Sequence, residues 1–426
     1  MEWNLYSWIF LVLFTAHLAA ETGVDLLQLR HLARRPDRVP SHLEGKVDLA
    51  TIRRAVRYNR DRLRLGIFER FYDGLLVWGL IAYGFGAIDR ILSGTFAAER
   101  GIWLSLVFLA AVAAVSFVWG LPPRIASTFG VEARHGFNRR GPALFAVDEL
   151  KGLALGAVLG GGLALVVLWL MSAAGELWWL AAFAGVAAIQ VFAAWIYPVA
   201  ILPLFQRLEP VEDDLAEDVE RLAREVGFPL GGVVTMDGSR RSRHANAFVV
   251  GLGGPRKIVL FDTLAERLDR RGLLAVLAHE LGHFELGHAR RRLLLALGGM
   301  LAGFAALGWL REQPAMYAGL GLGEPSDHGA LLAFVLLSSE ALFPVGFFFR
   351  RLSRADEHAA DRFAVDAVGG GEDLAEALVA LTRQNLSSPG SHRLYRAWRN
   401  THPALRDRLR EIRLQASKQG PQKRES

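Results

Sequence analysis

Two histidines four residues apart, with a glutamate after the first, make His279-Glu280-Leu281-Gly282-His283 the part of this chain best suited to metal chemistry. On a helix, positions i and i+4 share one face about 5–6 Å apart at Cβ, so His279 and His283 can grip one ion together. Glu280 then lies beside that ion, where a carboxylate can take a proton from water. The preceding run, residues 273–278, is good helix-forming sequence. Cysteine is absent, which excludes disulfides and thiolate ligation, so a zinc ion here would rest on histidine and carboxylate. The bland alternative is a surface helix with two unrelated histidines.

A zinc site needs a third protein ligand, leaving the fourth position for water. Glu357, in Arg354-Ala355-Asp356-Glu357-His358-Ala359-Ala360-Asp361, is the leading candidate. Asp361 follows it at i+4, where it could accept a hydrogen bond from the free ring nitrogen of a ligating histidine. The alternative is a solvated charge cluster beside the membrane. His288 competes as third ligand, but Gly287 and His288 fall four and five residues after His283, which breaks the metzincin spacing. His288 is therefore expected to be an exposed or capping histidine. His358 points about 100° away from Glu357 around a helix and has no role assigned.

These residues must be positioned by a membrane protein. The chain has 426 residues and 52 % hydrophobic content, with a mean hydropathy of +0.24, too apolar for an ordinary soluble enzyme. Apolar stretches of crossing length occur near 5–20, 71–92, 102–121, 150–171, 177–205, 293–310 and 329–349. No Lys or Arg precedes the first and no clear cleavage site follows it, so it reads as a retained helix. Eleven arginines and lysines between Arg30 and Arg64, with Arg124, Arg134, Arg139 and Arg140 in the third loop, place those loops in the cytoplasm. Seven spans with the N-terminus outside, and with the C-terminus and the metal motif cytoplasmic, satisfy every loop. The net charge of +6 is thus a topology signal. Nucleic-acid binding finds no support, because the arginines are not interleaved with stacking aromatics.

The expected fold class is mainly α and integral to the membrane, with about seven transmembrane helices, a zinc-peptidase helix and a small β-hairpin. Residues 1–205 would hold spans one to five, 206–290 the cytoplasmic segment with the motif, and 291–350 spans six and seven. Residues 351–414 would form a helical segment with the third ligand, and 415–426 a disordered polar tail. Within 206–290 the spacing predicts a helix over 213–226, a strand over 231–236, and two strands, 247–250 and 257–261, joined by the glycine-rich 251–256. The metal helix is expected to begin near Asp269.

Several motifs resemble those of the type I CAAX prenyl proteases, integral-membrane zinc endopeptidases. They are His135-Gly136-Phe137-Asn138, Tyr197-Pro198 with Pro203-Leu204-Phe205, and the run 238–247 from Gly238 through Asn246-Ala247. Ile258 to Leu264, the HExxH helix, Glu357-x-x-x-Asp361 and His402-Pro403-x-Leu405-x-x-Arg408-Leu409 complete the set. The resemblance implies seven helices enclosing a large chamber with the site at its cytosolic end. It also makes Glu357 the third ligand of one zinc ion and Asp361 its partner acid.

It further implies that His402, with Arg408, stabilises the developing oxyanion. An extended peptide would add beside Asn246 and Ala247. The reaction expected is zinc-dependent peptide hydrolysis with Glu280 as general base, on a peptide or protein substrate with or without a C-terminal lipid. An HtpX-like quality-control peptidase is the alternative, since the Ala, Gly, Leu and Arg bias looks bacterial and prenylated substrates are not general there. A site-2-type protease is disfavoured by the charge bracketing the motif, and a transporter by the absence of functional charges inside the spans.

Overall fold

The computed structural model describes residues 2–34, 39–95, 101–251 and 256–418. Leu5–Arg34, Leu49–Thr95, Ile102–Glu132, Pro142–Ala173, Gly175–Ile196 and His288–Arg311 are helices long and apolar enough to cross a membrane. Asp327–Ala341 with Val345–Val368, counted as one span, makes seven. The last expected span, 329–349, is not straight: the pair bends by 60° at its break. Pro344 sits there, lacks an N–H and disfavours helical geometry in the residue before it.

Only 6–22 % of the apolar window in each of the six straight spans is buried inside the protein. Trp103, Leu150, Val158 and Phe348 are exposed large apolar side chains, as expected of spans bordered by lipid. Phe10, Ile81, Phe108, Leu168, Trp178 and Tyr317 pack the helices together along limited seams. So little of each helix is packed on its neighbours that most of its surface is free of contact with other helices. This is the membrane fold class, with its chamber, that the motifs imply.

A second core lies outside the spans and carries the chemistry. Leu277, Ala278 and Leu281 of the helix Arg270–Glu285 meet Ala364 and Val365 of Val345–Val368. Leu374 and Leu378 of Glu372–Gln384, and Leu409 and Ile412 of Leu405–Lys418, close the same cluster. A four-stranded sheet covers it in the order β1 (Leu208–Pro210), β2 (Leu230–Met236), β4 (Arg256–Phe261), β3 (Ala247–Val250). β3 and β4 form the expected antiparallel pair, from Ala247↔Leu260 to Val250↔Lys257. Residues 252–255 of their connection lie outside the described residues. The sheet is larger than a hairpin because β2 runs parallel to β4 and β1 antiparallel to β2. Three residues ending in proline are too few to carry a period-2 signal.

The last helix corrects the expected tail. It runs Leu405–Lys418, four residues past the predicted end, because Gln415 Nε2 donates to Asp366 at 2.9 Å and Ala416 seats against Gly371. Residues 419–426 lie outside the described residues.

Candidate metal centre

The metal helix starts where the sequence suggests. Asp269 is its N-cap, and the aspartate side chain accepts from Gly272 N–H at 2.9 Å. The helix brings His279 and His283 onto one face, with Nε2 atoms 3.2 Å apart. Opposite, Val345–Val368 buries Glu357, Ala360, Asp361, Ala364 and Val365, the i, i+3, i+4, i+7, i+8 stripe of a packed helix. The two helices approach closely at Gly282, where a Cβ would stand 2.9 Å from the Phe363 ring.

That approach brings Glu357 Oε2 to 3.4 Å from His279 Nε2 and Oε1 to 3.2 Å from His283 Nε2. One donor atom from each of the three residues lies within 4.8 Å of the others. Four ligands around a tetrahedral ion at ~2.0–2.1 Å stand about 3.3–3.4 Å from one another, so these separations fit one metal ion. Glu357 Oε2 is also buried without a hydrogen-bond partner. His402 Nδ1 comes within 2.7 Å of it as an ion-pair contact, off hydrogen-bond direction. A buried carboxylate oxygen with no donor, facing two ring nitrogens, suits a cation.

The surroundings prepare the ligands. Asp361, fully buried, holds His279 Nδ1 at 3.0 Å, which turns Nε2 toward the site as a lone-pair donor. Burial works to lower the pKa of His279, but the Asp361 and Glu357 carboxylates beside it outweigh this and raise it to about 9. Burial pushes the Glu280 carboxyl up, against the pull of His279 and His283, which moves it toward the range useful for a general base.

Arg408 stands beneath this pair instead of in an open cleft: Nε and Nη2 fork onto Asp361, and Nη1 lies 3.8 Å from Glu357 Oε2. Glu280, Glu357, Asp361, His402 and Arg408 are thus gathered at one point. Ala247 begins β3, an edge strand of the sheet against which the metal helix packs, and Asn246 immediately precedes it.

His288 is not the exposed histidine that its spacing suggests. It is buried, with Nδ1 3.0 Å from His283 Nδ1 and Nε2 3.6 Å from Asp356. The cause is Gly287, whose φ of 68° ends the metal helix in a left-handed turn and restarts the next helix at His288. An unbroken helix would have sent position 288 away from position 283. Asp356 in turn is held by Arg291 and Arg292.

Sequence reasoning also missed what places His402. Arg354, on the Glu357 helix, donates from Nη1 to the carbonyls of Arg396, Ala397 and Asn400, holding the end of Arg393–Arg399. From the other side Arg399 pairs with Asp25, and Trp398 Nε1 donates to Glu21, both acids on the first membrane helix. The helically spaced stripe of Glu21, Asp25, Gln28 and His31 in that helix's C-terminal half was the available signal.

Fold and site together define a membrane-embedded metalloendopeptidase. Residues 28–207 match the model described as "CAAX prenyl protease N-terminal, five membrane helices", and residues 210–416 match "Peptidase family M48". The chain belongs to this family of CAAX prenyl protease-type M48 peptidases. It is 30 % identical over 461 residues to a CAAX prenyl protease 1 homolog of Taenia solium, covering 98 % of this chain and 97 % of that one. It is 31 % identical over 404 residues to the Arabidopsis thaliana homolog, covering 92 % and 94 %. The crystal structure of S. mikatae Ste24p superposes with a TM-score of 0.89 at 27 % identity, covering 96 % of this chain and all of that one. The match of the N-terminal helices favours this reading over an HtpX-like peptidase.

Proposed function

We propose that the metal is zinc, held by His279, His283 and Glu357, and that the enzyme hydrolyses peptides laid along β3. The observation that carries this is the facing set of ligand atoms, 3.2–3.4 Å apart. Bound there, zinc supplies a Lewis acid and draws the pKa of a water toward ~7. Glu280 takes the proton from the attacking water and delivers it to the leaving amine. His402, 64 % exposed while the Glu357 beside it is 4 %, projects into the cleft and donates to the oxyanion as it forms. Asp361 keeps His279 in the ligating tautomer, and Arg408 locks Asp361.

Substrate binding follows from the sheet. In the β3–β4 register Asn246 O accepts from Phe261 N–H, so Asn246, Phe248 and Val250 turn their backbone groups toward β4. Ala247 and Val249 turn theirs to the open edge, where an extended peptide adds a strand. Asn246 Oδ1 accepts from Ala247 N–H at 3.0 Å, shielding that edge group until a peptide arrives. The substrate class extends to prenylated C-terminal peptides, after which the relatives are named. The arginine-rich loops put the site on the cytoplasmic face of the cell membrane, with lipid around the spans.

Glu280→Gln tests the assignment. It should keep about one zinc per chain while losing roughly 10²–10⁴ of peptide hydrolysis. Full activity in that variant removes Glu280 from the chemistry. Metal loss should follow His279→Ala, His283→Ala or Glu357→Ala, and normal zinc binding by Glu357→Ala would place the third ligand elsewhere.

A further inference from the structure

His402 is carried by a segment with no core of its own. None of residues 387–404 is buried, and the one helix there, Arg393–Arg399, has seven residues, too few to hold its shape alone. Pro403 biases His402 toward extended backbone, and three residues of chain reach at most about 10–11 Å, so His402 goes where Arg399 is put. The place of the oxyanion donor is therefore set by contacts from outside the segment. Arg354 supplies one set of these contacts, and one face of the first membrane helix supplies the other.

His17, Glu21, Asp25 and Gln28 recur every three or four residues along Leu5–Arg34, which lines them up on that face. Gln28 is 1 % exposed and spends all three of its side-chain hydrogen bonds on the segment. It accepts from His392 N–H at 2.8 Å and donates to the Gly390 carbonyl at 3.1 Å and to Ser388 Oγ at 3.3 Å. Asp25, also buried, accepts from Arg399 Nε at 3.2 Å and Nη2 at 3.0 Å. Arg70 of the second membrane helix holds the same carboxylate at 2.6 Å, so Asp25 is a fixed anchor and not a side chain that follows Arg399. Glu21 accepts from Trp398 Nε1 at 2.9 Å and pairs with Arg399. His17 reaches the break in the last span, 2.7 Å from Glu340 and stacked on Phe343, and Phe343 and Phe347 lie in turn against Trp398. A polar stripe on a membrane helix could be a solvated face, but Glu21, Asp25 and Gln28 are buried and matched to particular groups of one segment.

We propose that Asp25 and Gln28 of the first membrane helix are positioning residues for the hydrolytic step. They dock residues 388–399 so that His402 stands beside Glu357 with its ring open to the cleft. A misplacement of about 1 Å at a reacting group can cost roughly 10²-fold in rate, so a loosened dock is read in kcat and not in the metal. The inference rests on the reading of His402 as the oxyanion donor.

The test uses the zinc-loaded full chain in detergent. Asp25→Asn keeps the shape and removes the charge, while Gln28→Met keeps the length and removes the three hydrogen bonds. Each should lower kcat by about 10–100-fold with KM and zinc content unchanged. In a His402→Ala background the same substitutions should change kcat by less than about 2-fold, because no donor is left to position. A purely structural role would carry the full factor into that background or take zinc with it. Equal factors in the two backgrounds, loss of zinc, or normal kcat in both single variants overturns the proposal. His402→Ala with full kcat would strike the oxyanion reading and the dock together, whereas a slow His402→Ala beside normal Asp25→Asn and Gln28→Met would leave that reading and remove only the dock.

Discussion

Arg408 grips Asp361 with two parallel contacts, Nε to Oδ2 at 2.8 Å and Nη2 to Oδ1 at 2.5 Å, while the same Oδ1 stands 3.0 Å from His279 Nδ1. The fork fixes the carboxylate, the carboxylate fixes the imidazole, and the imidazole presents Nε2 to the metal. Both charges are buried, so each depends on the other.

Removing Arg408 should therefore cost stability before it costs chemistry. Arg408→Ala strands a buried carboxylate and should lower the unfolding free energy by about 3–5 kcal/mol. Thermal unfolding of the detergent-solubilised protein measures this, and an unchanged melting temperature would contradict the pairing. Asp361→Asn should weaken zinc binding or activity by roughly 10–100-fold, since it removes the acceptor that orients His279.

His288 performs the matching service for His283. Replacing it with alanine removes the contact at 3.0 Å and the link onward to Asp356. Zinc affinity should drop by roughly 10–100-fold, while the KM of the fully loaded enzyme moves little. Competition with a fluorescent chelator reads the affinity directly. Unaltered zinc retention would make His288 a packing residue only.

His402 should act on the rate and leave the metal alone. Loss of one oxyanion donor lowers kcat by about 10²–10³. KM should stay near its starting value, because that bond strengthens as charge develops on the carbonyl oxygen. Zinc loss in His402→Ala would make it a ligand, as its 2.7 Å approach to Glu357 allows.

Topology can be checked on a chain with no native cysteine. Single cysteines at Ser41 and Ser387, both exposed positions, should be protected from impermeant thiol reagents outside intact cells. One at Ser172, also exposed, should react. Reaction at Ser387 from outside would invert the orientation.

What could be read from the residues alone was whatever depends on spacing within one element. His279 and His283 share a face because 3.6 residues make a turn, and Glu357 and Asp361 do so for the same reason. The spans are legible because a bilayer demands about 20 apolar residues in a row. The tertiary structure decided everything that hangs on where chains turn and which helices meet. The left-handed Gly287 swung His288 back onto His283, against the spacing rule. Arg408 reached Asp361 only because the last helix docks beneath the Glu357 helix. Asn385, 140 positions from Ala245, meets both backbone groups of Ala245 through a turn that no local pattern announces. Periodicity is a property of one segment, whereas a fork or a relay is a meeting of several, and such meetings are settled by packing.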